Sequence, residues 1–303
     1  MSPAPLSVHL ILVASALCFA SLPVVGRLVI GDGQLPAGGI VMARMTGGAI
    51  VFALIAWRRG GLKLDRRDLP LIIVSALMGN VINQEMFVHA LAHTTATNAV
   101  VIGSTIPVFT LIGALVLGRE KLRLYRALGM ACAFGGVMAL VGADELSLSS
   151  DHFIGSVFVL INALSYGTFL VVVRPLSGKY DPFALLAIMF AIGLPIAIPI
   201  GVVELASAPP LTGDDYAFLG FLVAVPTVAA YGLTQIALKR AESSLVAAYI
   251  YLQPVFAAIG AMIVLGEEIG PRTIVCGVIV LVGVWLAARS PDARPTTPHP
   301  DDS

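Results

Sequence analysis

Two ionisable side chains stand inside long apolar stretches of this sequence. Arg44 lies within the stretch 37–57 and Glu85 within the stretch 69–91, and His89 follows Glu85 by one helical turn. A charge at the centre of a bilayer costs about 2.5–3.5 kcal/mol on insertion scales, so each charge needs a physical reason. Glu85 could exchange a proton, with His89 as a relay, and Arg44 could bind an anionic group.

A structural ion pair is the alternative interpretation of these charges. If both stretches are membrane-spanning helices, Arg44 lies about 12 Å and Glu85 about 9 Å from the same end, at about 1.5 Å per residue. Similar depths in neighbouring helices allow a salt bridge that only holds the helices together. His89 has a plainer interpretation as an interfacial polar residue, and two ligands without a third predict no metal site.

The composition places these residues in an integral membrane protein. Hydrophobic residues make up 58% of the 303 residues and charged residues 12%, against about 25% charged residues in soluble domains. The apolar runs are continuous and about 20 residues long, which favours membrane helices over barrel strands. The net charge is zero and the three cysteines lie in apolar runs. We therefore expect no nucleic-acid partner, no disulfide, no metal and no cofactor.

Ten membrane-spanning helices with short loops are predicted. With residues 1–7 in the cytoplasm, fifteen of the eighteen Lys and Arg residues fall in cytoplasmic segments, and Arg27 and Arg272 fall outside. This positive-inside pattern predicts that both termini are cytoplasmic, including a disordered tail over 289–303, and the membrane is expected to be a bacterial inner membrane. The predicted spans are about 8–30, 37–57, 69–91, 95–117, 124–142, 152–173, 182–203, 215–238, 244–265 and 272–288.

The sequence repeats itself at an offset of 147 residues. Pro107 in "IPVFTLIGALVLGRE" matches Pro254 in "QPVFAAIGAMIVLGEE". Because each copy holds an odd number of spans, the second copy enters the membrane in the opposite sense. The predicted fold class is an all-α membrane protein of ten transmembrane helices in two inverted five-helix repeats, 8–142 and 152–288, with a substrate site between them near the midplane.

Two polar helix faces align when one copy is laid over the other. Asn80 and Gln84 correspond to Thr227 and Tyr231, and Gln235 continues the second face. Polar side chains that face lipid are costly, so both faces should meet protein or water. We expect them to line one cavity; the alternative is interhelical hydrogen bonding worth about 0.6 kcal/mol per contact. Further polar candidates for the cavity are Asn162, Tyr166, Tyr249 and Gln253.

Pro107 and Pro254 form a symmetric pair of prolines inside the fourth and ninth spans. A proline inside a helix removes one backbone hydrogen bond and favours a kink. The pair are candidate hinges for alternating access, or static bends that shape the cavity.

These features resemble the EamA branch of the drug/metabolite transporter superfamily. The resemblance covers about 8–288 and rests on "ALCFASLPVVGR", "ARMTGG", "HALAHTTATNAVVIGSTIPVFTLIGALVLGREKL" and "KRAESSLVAAYIYLQPVFAAIGAMIVLGEEI". In the first span Cys18 and Phe19 stand where the family often has a Trp-Gly pair. This departure from the family pattern replaces an indole that could contact the substrate.

The resemblance implies a secondary transporter and not an enzyme. No G-x-x-x-x-G-K-[ST] motif occurs in the sequence, so the energy should come from a substrate or proton gradient. The expected activity is export of a small polar or amphipathic metabolite, amino-acid-like or drug-like, across the lipid bilayer by alternating access. The alternatives are an importer or exchanger of a vitamin or nucleotide-like metabolite, a membrane-embedded enzyme, and a non-transporting scaffold subunit. The oligomeric state is left open.

Overall fold

The computed structural model describes residues 4–31, 35–61, 64–94, 99, 102–141, 150–265 and 270–289, so the predicted tail lies almost wholly outside it. Within these ranges all regular structure is helical. Seven segments are long and apolar enough to cross a membrane, and three shorter apolar helices accompany them. The helices are α1 (Leu6–Gly31), α2 (Ala37–Arg58), α3 (Leu69–Ala76), α4 (Asn83–His93), α5 (Ile106–Val116), α6 (Leu124–Val141), α7 (Ser150–Val172), α8 (Arg174–Lys179), α9 (Pro182–Ala206), α10 (Gly213–Val223), α11 (Ala230–Leu238), α12 (Ser243–Ala248), α13 (Leu252–Leu265) and α14 (Pro271–Ala288).

Two π-helical turns interrupt the bundle at equivalent points of the repeat. Leu77–Ile82 joins α3 to α4, and Ala224–Ala229 joins α10 to α11, so the turns begin 147 residues apart. A π-helical turn is wider than an α-helical one and rotates the side chains that follow it about the helix axis. Residues four apart across such a turn therefore leave the common face that α-helical spacing assumes.

Pro226 explains the contacts inside the second π-helical turn. Proline has no N–H group, so the carbonyl of Leu222, four residues earlier, loses its usual helical donor. The hydroxyl of Thr227 donates to that carbonyl at 2.7 Å. The side chain of Thr227 is thus committed to repairing the backbone of its own helix.

The fourth and ninth predicted spans are both interrupted just before their prolines. Pro107 stands in the first turn of α5, after a turn in which the Thr105 N–H donates to the carbonyl of Ile102 at 3.0 Å. Pro254 stands in the first turn of α13, directly after the 3₁₀ turn Tyr249–Tyr251. A proline in the first turn of a helix forgoes no helical hydrogen bond. The sequence predicts a kinked helix at each proline, and the structure instead has a break in the helix just before it.

Glycines allow two helix pairs to approach closely, α2 with α9 and α6 with α14. A Cβ atom placed on Gly283 would lie 2.5 Å from the backbone nitrogen of Ala133, and one placed on Gly48 would lie 2.6 Å from the ring of Phe190. Small residues of this kind are the usual means of close helix packing in membranes. Each pair joins a helix of the first copy to its counterpart in the second, so these contacts hold the two copies together.

A buried ion network joins the two copies at the arginine-rich end of the bundle. Arg126 of α6 contacts the carboxylate of Glu242, which immediately precedes α12, and donates to the hydroxyl of Ser244 at 2.9 Å. Glu120 lies 3.7 Å from Arg126 and accepts from the backbone N–H of Ser244 at 3.2 Å. Burial raises the pKa of the Glu120 carboxyl. We call these four residues the Arg126 network.

We expect Gly283→Ala to lower the thermal unfolding midpoint of the purified protein, because the added methyl group would overlap the backbone of α6. Overpacking of this kind costs about 1–3 kcal/mol. The matched control is Gly135→Ala, at a helical glycine with no atom within 4 Å of an added Cβ, where alanine should be neutral or stabilising. Equal midpoints for the two variants, measured in detergent, would contradict the close approach of α6 and α14.

Candidate functional site

A cavity of about 800 Å³, partly open to solvent, lies where helices of the two copies meet. The first copy contributes α1, α2, α4 and the start of α5, and the second contributes α7, α11 and the start of α13. The wall is mostly apolar and carries polar groups at a few points, which is typical of small-molecule sites. These polar groups include Arg44, Asn83, Gln84, Asn162, Tyr231 and Gln253.

Several residues that the sequence singles out lie in this wall. Gln84, Tyr166, Tyr231 and Gln253 line the cavity, together with Pro254. Tyr249 instead lines a smaller cavity of about 270 Å³, which shares Tyr166 and Gln253 with the larger one. The structure therefore brings side chains from both copies to one place, and their contact with a substrate stays a prediction.

Asn80, Thr227 and Gln235 are fully buried outside the wall of this cavity. The Gln235 carbonyl oxygen accepts from the hydroxyl of Ser177 at 2.7 Å. The Asn80 amide has no hydrogen-bond partner among the described residues. Of the five residues that define the predicted polar faces, only Gln84 and Tyr231 therefore line the cavity. For Asn80 and Thr227 the π-helical turns are the physical reason, because they hold both residues out of register with the residues that follow. Gln235 lies one turn beyond Tyr231 and bonds Ser177 of α8 instead.

Arg44 reaches the cavity wall from α2 and is only 2% exposed. Its Nε donates to the hydroxyl of Thr227 at 2.8 Å, and its Nη2 donates to the carbonyl of Pro226 at 3.4 Å. Glu85 is not a partner, so the structure corrects the ion pair that the depths of these two residues suggested. The π-helical turn supplies neutral acceptors for the guanidinium in place of that carboxylate.

Glu85 belongs to a second cluster, outside the cavity wall. Its Oε2 lies 3.4 Å from Nδ1 of His89, a nitrogen that is hydrogen-bonded to the backbone carbonyl of Glu85 at 2.8 Å. Nε2 of His89 lies 3.0 Å from Oε1 of Glu204 at the end of α9. Glu204 also accepts from the backbone N–H of Gly38 at 2.7 Å. The Glu85 side chain is 7% exposed, while those of His89 and Glu204 are 25% and 31% exposed. A row of proton-binding groups therefore leads from a buried carboxylate to a partly exposed one.

Some site residues could not be identified from the sequence. Glu204 follows the predicted end of its span, where a carboxylate needs no special reason, and nothing in the sequence pairs it with His89. Asn83 faces the cavity because of the preceding π-helical turn, for which the sequence carries no signal. Asn162, in contrast, is among the candidates from the sequence, and it lines the cavity one helical turn before Tyr166.

Three aromatic rings meet between the two cavities. The ring centroids of Phe19 and Tyr231 lie 5.3 Å apart, those of Phe19 and Tyr166 lie 6.2 Å apart, and those of Tyr166 and Tyr231 lie 6.4 Å apart, all edge to face. The Tyr231 hydroxyl lies 2.9 Å from Oδ1 of Asn83. Phe19 thus supplies an aromatic surface at the point where the family indole is missing. We call these three residues the aromatic cluster.

Known proteins that match this chain over most of its length include named transporters and exporters. The chain is 32% identical over 240 residues to an uncharacterised transporter of Archaeoglobus fulgidus, covering 78% of this chain and 82% of that protein. It is 26% identical to a probable terminal-alkyne amino-acid exporter of Streptantibioticus cattleyicolor (83% of this chain, 84% of that one) and 26% identical to a pseudopaline exporter of Pseudomonas aeruginosa (84% and 87%).

The chain also matches a solved structure in fold and a family profile in sequence. One crystal structure superposes with a TM-score of 0.77 over 93% of this chain and 96% of the other, and its 18% identity shows a shared fold alone. The profile of the EamA-like transporter family matches residues 6–142 and again residues 153–289. The chain therefore belongs to the EamA-like transporter family.

Proposed function

We propose that this protein is a secondary transporter that exports a small polar or amphipathic metabolite, amino-acid-like or drug-like, by alternating access. The observation that carries the proposal is the cavity at the junction of the two copies, with polar side chains from both in its wall. Two relatives whose names state a function are exporters, which supports the direction of transport.

The proposal includes ten spans in two inverted repeats, 8–142 and 152–288, with both termini in the cytoplasm of a bacterial inner membrane. Seven long and three shorter apolar helices supply the ten segments. The distribution of lysine and arginine supports the orientation. The π-helical turns and the interrupted helices before Pro107 and Pro254 recur at the repeat offset, which supports the duplication.

In this orientation the larger cavity lies in the outer half of the membrane. Along α1 its wall holds Leu22 and Pro23, whereas the smaller cavity holds Leu12 and Ser15, nearer the cytoplasm. The aromatic cluster separates the two cavities, and the Arg126 network closes the cytoplasmic end. The structure is then an outward-facing state. The opposite state requires the Arg126 network to open, with the interruptions before the paired prolines as hinges.

Measurement of intracellular solute levels across a metabolite panel, in cells with and without the protein, tests the proposal directly. We expect the protein to lower the level of at least one small solute. Gln84→Leu should weaken that effect by about tenfold or more, since one lost hydrogen bond to a charged group of the solute is worth about 1.5–3 kcal/mol. The control is Leu17→Ala, at a 56% exposed position on α1. A panel in which no solute changes would refute the proposal.

Proton coupling through Glu85 and His89 is the second part of the proposal. A carboxylate that binds and releases the coupled proton cannot be replaced by an amide, so Glu85→Gln should abolish transport driven by an imposed pH gradient in proteoliposomes. Exchange of labelled for unlabelled solute should survive. The control is Asp214→Asn, which removes an exposed carboxylate from the first turn of α10. Wild-type gradient-driven rates in Glu85→Gln would exclude this role.

Opening of the cytoplasmic end is the third part. Removal of one member of a buried ion pair is strongly destabilising, by about 3–5 kcal/mol, so Glu242→Gln should favour the open state. We expect a cysteine at Thr234, in the wall of the smaller cavity, to react with a maleimide about tenfold faster in this variant, a change that corresponds to about 1.4 kcal/mol.

The labelling experiment uses a chain in which Cys18, Cys132 and Cys276 are replaced by alanine. Its matched control is Asp65→Asn, which removes an exposed ion pair to Lys179 at the same end of the bundle. Exposed pairs contribute about 0–1 kcal/mol, so this variant should label at the parental rate. Equal rates for Glu242→Gln and Asp65→Asn would show that the Arg126 network does not control access.

A further inference from the structure

Arg44 is the one charged residue in the described wall of the larger cavity. It is 98% buried, and both of its described hydrogen-bond acceptors are uncharged. Within the described residues no carboxylate lies within 4 Å of it. Buried charges are normally paired, because an unpaired one loses its hydration without compensation. Among the described residues the guanidinium therefore has no counter-ion at the place where a solute would bind.

The structural role of Arg44 does not account for its charge. The repair of the helix at Pro226 is made by Thr227, whose hydroxyl already donates to the carbonyl of Leu222. The acceptors that Arg44 satisfies are a hydroxyl and a carbonyl, and a neutral amide donor could satisfy both. A neutral donor would also avoid the cost of burying an ion. The packing of α2 against the π-helical turn therefore does not require a charged side chain at this position.

The contacts of Arg44 fix its guanidinium in one orientation. Thr227 holds Nε and Pro226 holds Nη2, while no described residue accepts from Nη1. The Nη1 and Nη2 groups together present two parallel N–H donors, the arrangement that a carboxylate accepts with both oxygens. A guanidinium held in place by its own hydrogen bonds loses little further entropy when such a ligand binds.

Gln84 offers a second binding group in the same wall. Its Nε2 donates to the sulfur of Met45 at 3.4 Å, and its Oε1 is buried with no hydrogen-bond partner among the described residues. A buried acceptor without a donor is destabilising, because it has lost its hydrogen bonds to water without replacement. An ammonium or hydroxyl group on the solute would satisfy it. The rest of the wall, including the aromatic cluster, suits an apolar side chain.

We infer that the solute is a small organic monocarboxylate, with its carboxylate on Arg44 and an ammonium or hydroxyl group on Gln84, as in an amino acid or a hydroxy acid. This inference rests on the proposed function and narrows its substrate class. A solute with two or more negative charges does not fit, because the described wall offers a single cation and the remaining charge would meet apolar groups.

Matched acids and amides test this assignment. The probes are the standard amino acids and their hydroxy-acid analogues, each compared with its own carboxamide, and the readout is the thermal unfolding midpoint of the purified wild-type protein. We expect at least one acid to raise the midpoint and its carboxamide to leave it unchanged at the same concentration. If no acid stabilises the protein, or if the amides stabilise it equally, the assignment is overturned. This comparison needs no variant and so does not depend on how Arg44 variants fold.

Variants at Arg44 provide a second test of the carboxylate assignment. We expect Arg44→Gln to weaken binding of the stabilising acid about 10- to 100-fold, the effect of one charge-assisted bidentate contact. Arg44→Lys should lie between wild type and Arg44→Gln, because it keeps the charge and loses the paired donors. The control is Arg59→Gln, at a 55% exposed side chain, which should bind as wild type does. Unchanged affinity in a folded Arg44→Gln would overturn the role of Arg44.

The outcome for the substrate class can be separated from the outcome for transport. If cells that carry the protein export solutes that lack a carboxylate, the assignment to Arg44 fails and the proposed function stands. If no solute in the metabolite panel is exported, the proposed function fails, and binding of acids to the purified protein then reports a carboxylate site without transport.

Discussion

Within a membrane, every backbone carbonyl that loses its helical donor must find another one, and this bundle is arranged around four such places. Two are the π-helical turns and two are the interruptions before Pro107 and Pro254. Broken backbone at this depth is tolerated where it is buried in protein or lines a cavity. The larger cavity lies among these four interruptions, so the same irregularities that make the helices imperfect also place the groups that can bind a solute.

The contact between Arg44 and the second π-helical turn shows how structure and site depend on one another. Pro226 frees the carbonyl of Leu222, Thr227 repairs it, and the repaired turn then accepts two hydrogen bonds from Arg44. The result is a cation held rigidly at the edge of an apolar chamber. The Glu85, His89 and Glu204 cluster lies apart from this chamber, which separates the groups that could carry a proton from those that could hold a solute.

Much of the architecture could be predicted because it depends on composition and periodicity. Continuous apolar runs predict the helical membrane class, and the duplication predicts a site at the junction of the copies, where Gln84 and Tyr231 do lie. The side-chain register could not be predicted beyond each π-helical turn, because one wide turn leaves no trace in hydropathy. This loss of register explains why Asn80 and Thr227 lie outside the cavity wall. The partners of Arg44 and Glu85 could not be predicted either, since depth along a helix does not determine the direction in which a side chain points.

The Arg126 network is only partly repeated at the equivalent positions of the duplicated sequence. Glu268 stands in the position of Glu120, whereas Thr95 stands in that of Glu242 and Ile274 in that of Arg126. In the proposed orientation this imbalance makes the cytoplasm-facing state the rarer one. The apparent affinity for a cytoplasmic solute is then reduced by the fraction of molecules in that state. Such a protein would export little at ordinary solute concentrations and much more when the solute accumulates. The concentration at which export becomes appreciable would then be determined by one buried ion network.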